Sequence, residues 1–123
     1  MSIEINREIS APETKSENLN QFPSIVERIL RGVDNGLESY GKNVKEVFYS
    51  EMEASQEMKR SEIVDNPDRF EKSLSLFFTI GTLRVDRSIG KEILQEFDLP
   101  ASAGLNFRTA VEIVKRHPHK EVS

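Results

Sequence analysis

The sequence predicts an all-α fold, a compact bundle of four to five helices with flexible N- and C-terminal tails. Three observations predict it. Apolar residues recur at helical spacing in several separate blocks. No run that alternates apolar and polar residues is long enough to favour a sheet. The signals between blocks are helix starts and stops: Gly41, then Asn66-Pro67-Asp68, then Asp98-Leu99-Pro100.

Residues 1–19 read as a flexible polar leader, with four glutamates, Pro12 and too little apolar surface to offset the entropy of ordering. Ile3, Ile5 and Ile9 alternate weakly within it, the pattern of a short strand or an arm that docks on a partner. A single helical domain then spans residues 20–116. Its first helix runs from Phe22 to Tyr40, where Phe22, Ile25, Val26, Ile29, Leu30, Val33 and Leu37 fall on one stripe. Pro23 sits where a first-turn proline is tolerated. Gly32 and Gly36 each lower helicity by about 1 kcal/mol relative to alanine. Four apart, they share a face and can admit a neighbouring helix closely. Gly41 is the stop.

A second helix is expected from Asn43 to Met58, with Val44, Val47, Phe48 and Met52 inward, joined by Ala54 or Met58. Residues 59–66 read as a connector in which Ile63 or Val64 plugs the edge of the core. Asn66 is the expected N-cap of the next element, Pro67 its first residue and Asp68 a favourable charge at the positive end of the dipole. From there to Phe97 the pattern is helical throughout, either as one long helix or as two joined near Gly81-Thr82. Pro100 ends that block, and Ala101-Ser102-Ala103-Gly104 reads as a flexible spacer. Asn106 caps a last helix to Arg116, with Phe107, Ala110, Val111 and Val114 inward, and 117–123 form a flexible tail.

Composition removes most catalytic chemistry. There is no cysteine, no tryptophan, and both histidines lie at 117 and 119. A cysteine nucleophile and a Cys/His metal cage are therefore excluded, and His117-Pro118-His119 reads as solvated tail. The formal charge of −4 argues against a general nucleic-acid coat. The acidic face of the second helix (Glu46, Glu51, Glu53, Glu57) reads as solvated surface, and neither an EF-hand loop nor a phosphate-cradling glycine loop occurs. No stretch reaches the ~18–20 apolar residues of a membrane span, and the N-terminus lacks a secretory pattern. A cytoplasmic, non-enzymatic chain with no catalytic residue, metal or cofactor is expected.

Two surfaces remain. The apolar one comprises Phe78, Ile80 and Leu83, with Leu76 extending it, in a block apolar on two sides. Such a block is either the central helix of the domain or also an interface with a protein partner or a second copy. The alternative is basic: Arg84, Arg87 and Lys91 share a helix face and suit phosphate contacts of a small DNA-associated regulator.

The order of motifs adds a resemblance. Leu37-Glu38-Ser39-Tyr40-Gly41-Lys42-Asn43-Val44-Lys45 is followed by Ile63-x-x-x-Pro67-x-x-Phe70, then Phe77-Phe78-Thr79-Ile80-Gly81, then Ile89-x-Lys91-Glu92-Ile93. This succession resembles the archaeal helical family named as a Nitrosopumilus output domain. Thr82 stands where many relatives have a small, alanine-like residue. Members occur alone or attached to signalling modules. The resemblance implies an archaeal origin and a regulatory or interaction role through protein contacts, and it supplies no catalytic residue.

Overall fold

A computed structural model describes residues 24–100 and 105–116. The fold is all-α. Among the described residues five helices follow one another: α1 (Ile25–Glu38), α2 (Lys42–Gln56), α3 (Pro67–Phe78), α4 (Thr82–Glu96) and α5 (Phe107–Arg116). Two single 3-10 turns, Arg60–Glu62 and Thr79–Gly81, join α2 to α3 and α3 to α4. None of these helices is long and apolar enough to cross a membrane. The leader, Phe22, Pro23, the 101–104 spacer and the histidine tail lie outside the described residues.

The helix starts follow from capping chemistry. Ser24 accepts the Glu27 N–H at 3.0 Å and opens α1. Asn106 accepts the Thr109 N–H at 2.9 Å and opens α5, as its side chain suggests. Asn66 is at the cap position of α3 but makes no capping bond. Its amide donates backwards instead, to the Glu62 carbonyl at 3.0 Å. Gly41 turns the chain from α1 into α2 at φ 126°, where a side chain would be strained. Two residues earlier than expected, α2 gives way at Gln56. Glu57 then adopts a left-handed conformation at φ 54°, which turns Met58 into the core.

α4 is the central helix. It packs on α1, α3 and α5, and the α1 face is the closest of the three. A Cβ on Gly32 would lie 2.5 Å from the Cα of Ile93, and one on Gly36 would lie 2.7 Å from the Cα of Ile89. The two glycines thus let the backbones of α1 and α4 meet. Gly90 does the same on the other side, against the backbone of Asn106 before α5. Around α4 the buried residues form one cluster, and Ile63 and Val64 both join it from the connector.

Two stripe residues face outward. Val26 is 43% exposed and Val47 is 50% exposed. Each adjoins true core residues on its helix, but α1 is covered mainly along the Ile29–Val33–Gly36 line and α2 along Phe48 and Met52. Ala54 is likewise exposed.

The block from Pro67 to Phe97 is two helices. The break comes at Thr79, whose φ of 48° and ψ of −116° belong to a region glycine prefers. It is fixed from both sides. Phe77 and Phe78 are packed against the core, and the Thr82 hydroxyl donates to the Thr79 carbonyl at 2.5 Å while lying 3.3 Å from the Leu74 carbonyl. Gly81, by contrast, has ordinary helical angles and open space where a Cβ would go. Strain at Thr79 is worth about 1–3 kcal/mol. Thr79→Gly is therefore expected to raise stability by about 1 kcal/mol, read from a shift of the urea midpoint at constant m-value. A fall would show that the threonine hydroxyl matters more than the torsion.

Candidate interaction groove

The elbow between α3 and α4 brings together residues that the sequence assigned to two rival surfaces. Phe78, Ile80, Leu83, Arg84, Arg87 and Lys91 line one open groove of about 780 Å³, together with Tyr40 and Ser88. The 3-10 turn lifts Ile80 clear of the body, so that it is 100% exposed, and Leu83 is 61% exposed on the first turn of α4. Phe78 plays a different part from the one expected. It is half-buried, stacked on Phe48 at 5.8 Å and beside Tyr40 at 6.3 Å, and forms a fixed wall of the groove.

Ser88 lies beside the cationic line as a hydrogen-bonding residue, as the sequence suggests, whereas Tyr40 was not legible as a site residue. Their hydroxyls lie 2.9 Å apart and tie the loop after α1 to the middle of α4. The available signal was an amphipathic tyrosine next to a turn glycine. The cationic line follows from spacing: Arg84, Arg87 and Lys91 lie along one side of α4. None of the three forms an ion pair with a carboxylate among the described residues, where Arg60, Arg108 and Lys45 all do.

The chain matches no family model, no curated protein and no solved structure.

Other charge clusters have structural partners. Arg60 grips Asp34 through two bonds of 3.1 and 2.7 Å, and Tyr49 donates to the same carboxylate at 2.6 Å. Burial, and then the bond to Asp34, push the Tyr49 phenol far above its usual range. The Asp34 bond likewise holds the Arg60 guanidinium firmly protonated. This knot pins the connector to α1.

A second cluster joins α3, α4 and α5. Asp86 accepts the Phe107 N–H at 2.8 Å, at the first turn of α5. Arg108 bonds to Glu71 at 3.0 Å and also to Asp68. Burial lifts the Glu71 carboxyl above its ordinary value, and neighbouring Asp86 adds to that. Burial also lifts Asp86, and the Phe107 N–H and a bond from Glu71 oppose it. Two carboxyls with raised values resemble an acid–base pair, but each is engaged in holding α5 on the bundle. No cluster of His, Asp or Glu among the described residues is arranged to hold a metal ion.

Proposed function

We propose that the chain is a non-enzymatic protein-interaction module of a signalling or regulatory kind, and that it self-associates through the elbow groove. One observation carries this reading: Ile80, on the strained, well-anchored turn, and Leu83, on the first turn of α4 that follows it, are exposed beside a groove walled by aromatic side chains. A rigid apolar anchor with a charged rim is the anatomy of a protein interface. Backbone strain that persists at an exposed position is a further pointer to a working surface. The resemblance to the archaeal output-domain family supports the same class of role.

The DNA-associated reading keeps one favourable observation, the three cations of the groove without ion-pair partners among the described residues. The net charge of −4 opposes it.

Light scattering coupled to size exclusion tests both, with wild type and Leu83→Glu, with and without a mixed-sequence duplex at low salt. Leu83 is exposed, so the variant is expected to stay folded. Its carboxylate would be buried at the interface, and the dimer dissociation constant should rise at least tenfold, about 1.4 kcal/mol. A wild-type monomer at high concentration would sink the self-association. A species that gains the duplex mass and loses it when salt is raised would move the assignment to the basic residues.

A further inference from the structure

We infer that the groove is also the docking site of the chain's own Ile3–Ile9 segment, which covers it in cis and competes with a second copy. The inference rests on reading the groove as an interaction surface, and it concerns what occupies that surface when no partner is bound.

The first argument is chemical complementarity. In Ile3-Glu4-Ile5 and Glu8-Ile9 every isoleucine adjoins a carboxylate. The groove offers the matching set: Ile80 and Leu83 for the aliphatic side chains, with Arg84, Arg87 and Lys91 alongside for the carboxylates. Those cations have no carboxylate partner among the described residues.

The second argument is chain length. α1 runs antiparallel to α4, with Arg28 bonded to the Glu96 carbonyl, Gly32 against Ile93 and Gly36 against Ile89. Ser24 therefore stands at the C-terminal end of α4, while the groove opens on its N-terminal half. α4 has 15 residues and is about 22 Å long. Fourteen residues, 10–23, separate Ile9 from Ser24. Fourteen residues can reach at most about 46 Å, about twice the length of α4. A tether long enough to bridge the distance makes docking intramolecular, with an effective concentration of order millimolar. Contacts too weak to hold a free peptide then suffice to occupy the groove, and a partner gains access by displacing the segment.

The absence of cysteine makes the test direct. Ser10→Cys carries a single nitroxide one residue past Ile9, in the full ¹⁵N-labelled chain at dilute concentration. The amide signals of Ile80, Leu83, Arg84 and Arg87 are expected to lose more than half their intensity relative to the reduced label. The additional changes Ile5→Asp and Ile9→Asp should restore them and strengthen self-association severalfold. Raised salt should restore them in part. Mixing nitroxide-bearing, unenriched chain with label-free, enriched chain should leave the groove signals unbroadened. Groove signals that keep their intensity overturn the inference, and so does equal broadening in the mixed sample, which would place the segment on a neighbouring copy. If broadening is absent and Leu83→Glu still separates a dimer, the cis segment alone is refuted. If broadening is present and no dimer exists at any concentration, the groove serves its own segment and the self-association fails.

Discussion

Gly32→Ala is expected to destabilise the domain by about 2 kcal/mol, although alanine is the better helix former. The propensity gain is about 1 kcal/mol in the alanine's favour. Against it stands a steric conflict with no soft side. The new Cβ would lie 2.5 Å from the Cα, 2.6 Å from the Cγ1 and 2.8 Å from the N of Ile93. A rotamer change at Ile93 moves only one of these three atoms, so α1 and α4 must separate by roughly an ångström along their length. Overpacking of a filled core typically costs about 1–3 kcal/mol, and the displaced pair here is the one that organises the bundle, so the upper end applies. For a domain near this size the melting temperature should fall by about 10 °C. Gly81→Ala is the matched control: nothing lies within 4 Å of the new Cβ and the backbone is already helical, so it should be neutral or slightly stabilising. Calorimetry on the two variants decides the matter. Equal melting temperatures would mean that α1 and α4 do not approach as described.

The contrast between those glycines shows which features the sequence could reveal. Gly32 and Gly36 sit four apart within a strong apolar stripe, so their shared face and close neighbour follow from helix periodicity alone. The same periodicity places Ile29, Val33, Phe48, Phe70, Ile89 and Val114 inward, and all are buried. The positive φ of Thr79 was not readable, because a β-branched residue there contradicts its local preference and is held by tertiary packing of Phe77 and Phe78 together with the Thr82 hydroxyl bond. Val26 and Val47 lie at the edge of their stripes, where the outcome depends on how far a neighbouring helix reaches. The groove was legible in its parts, as an apolar trio and a basic trio. That the turn places both on one concavity is a property of the chain break, and Tyr40 enters it from a helix-ending loop some forty positions away. The Glu71–Asp86–Arg108 cluster has no local signature, since its members come from three helices.

Phe48→Ala should cost still more than the glycine substitution, about 4 kcal/mol, and its consequences should reach the groove. Phe48 is fully buried and stands at the centre of an aromatic group. Phe70 and Phe77 meet it edge-on at 6.0 and 5.5 Å, and Phe78 stacks on it at 5.8 Å. Truncating a buried phenylalanine costs about 3–5 kcal/mol through lost transfer energy and the cavity left behind. Each aromatic pair adds about 0.5–1.5 kcal/mol beyond area. The site has little freedom to collapse, because Phe70 is itself held by Phe107 at 4.7 Å. Phe77 and Phe78, however, sit at the end of α3, immediately before the strained Thr79, and their packing is what forces the helix to break there. With Phe48 gone, the packing half of the support at Thr79 is lost and only the Thr82 hydroxyl bond still holds the torsion. Ile80 and Leu83 should then lose their fixed position, and any self-association should weaken in parallel with stability. Leu74→Ala provides the comparison: Leu74 is equally buried on α3, but no ring contact links it to Phe78. Denaturation midpoints and dimer dissociation constants measured on both variants separate the effects. If Leu74→Ala weakens the dimer as much as Phe48→Ala at equal loss of stability, the groove depends on global stability alone, and the aromatic group has no special part in setting the elbow.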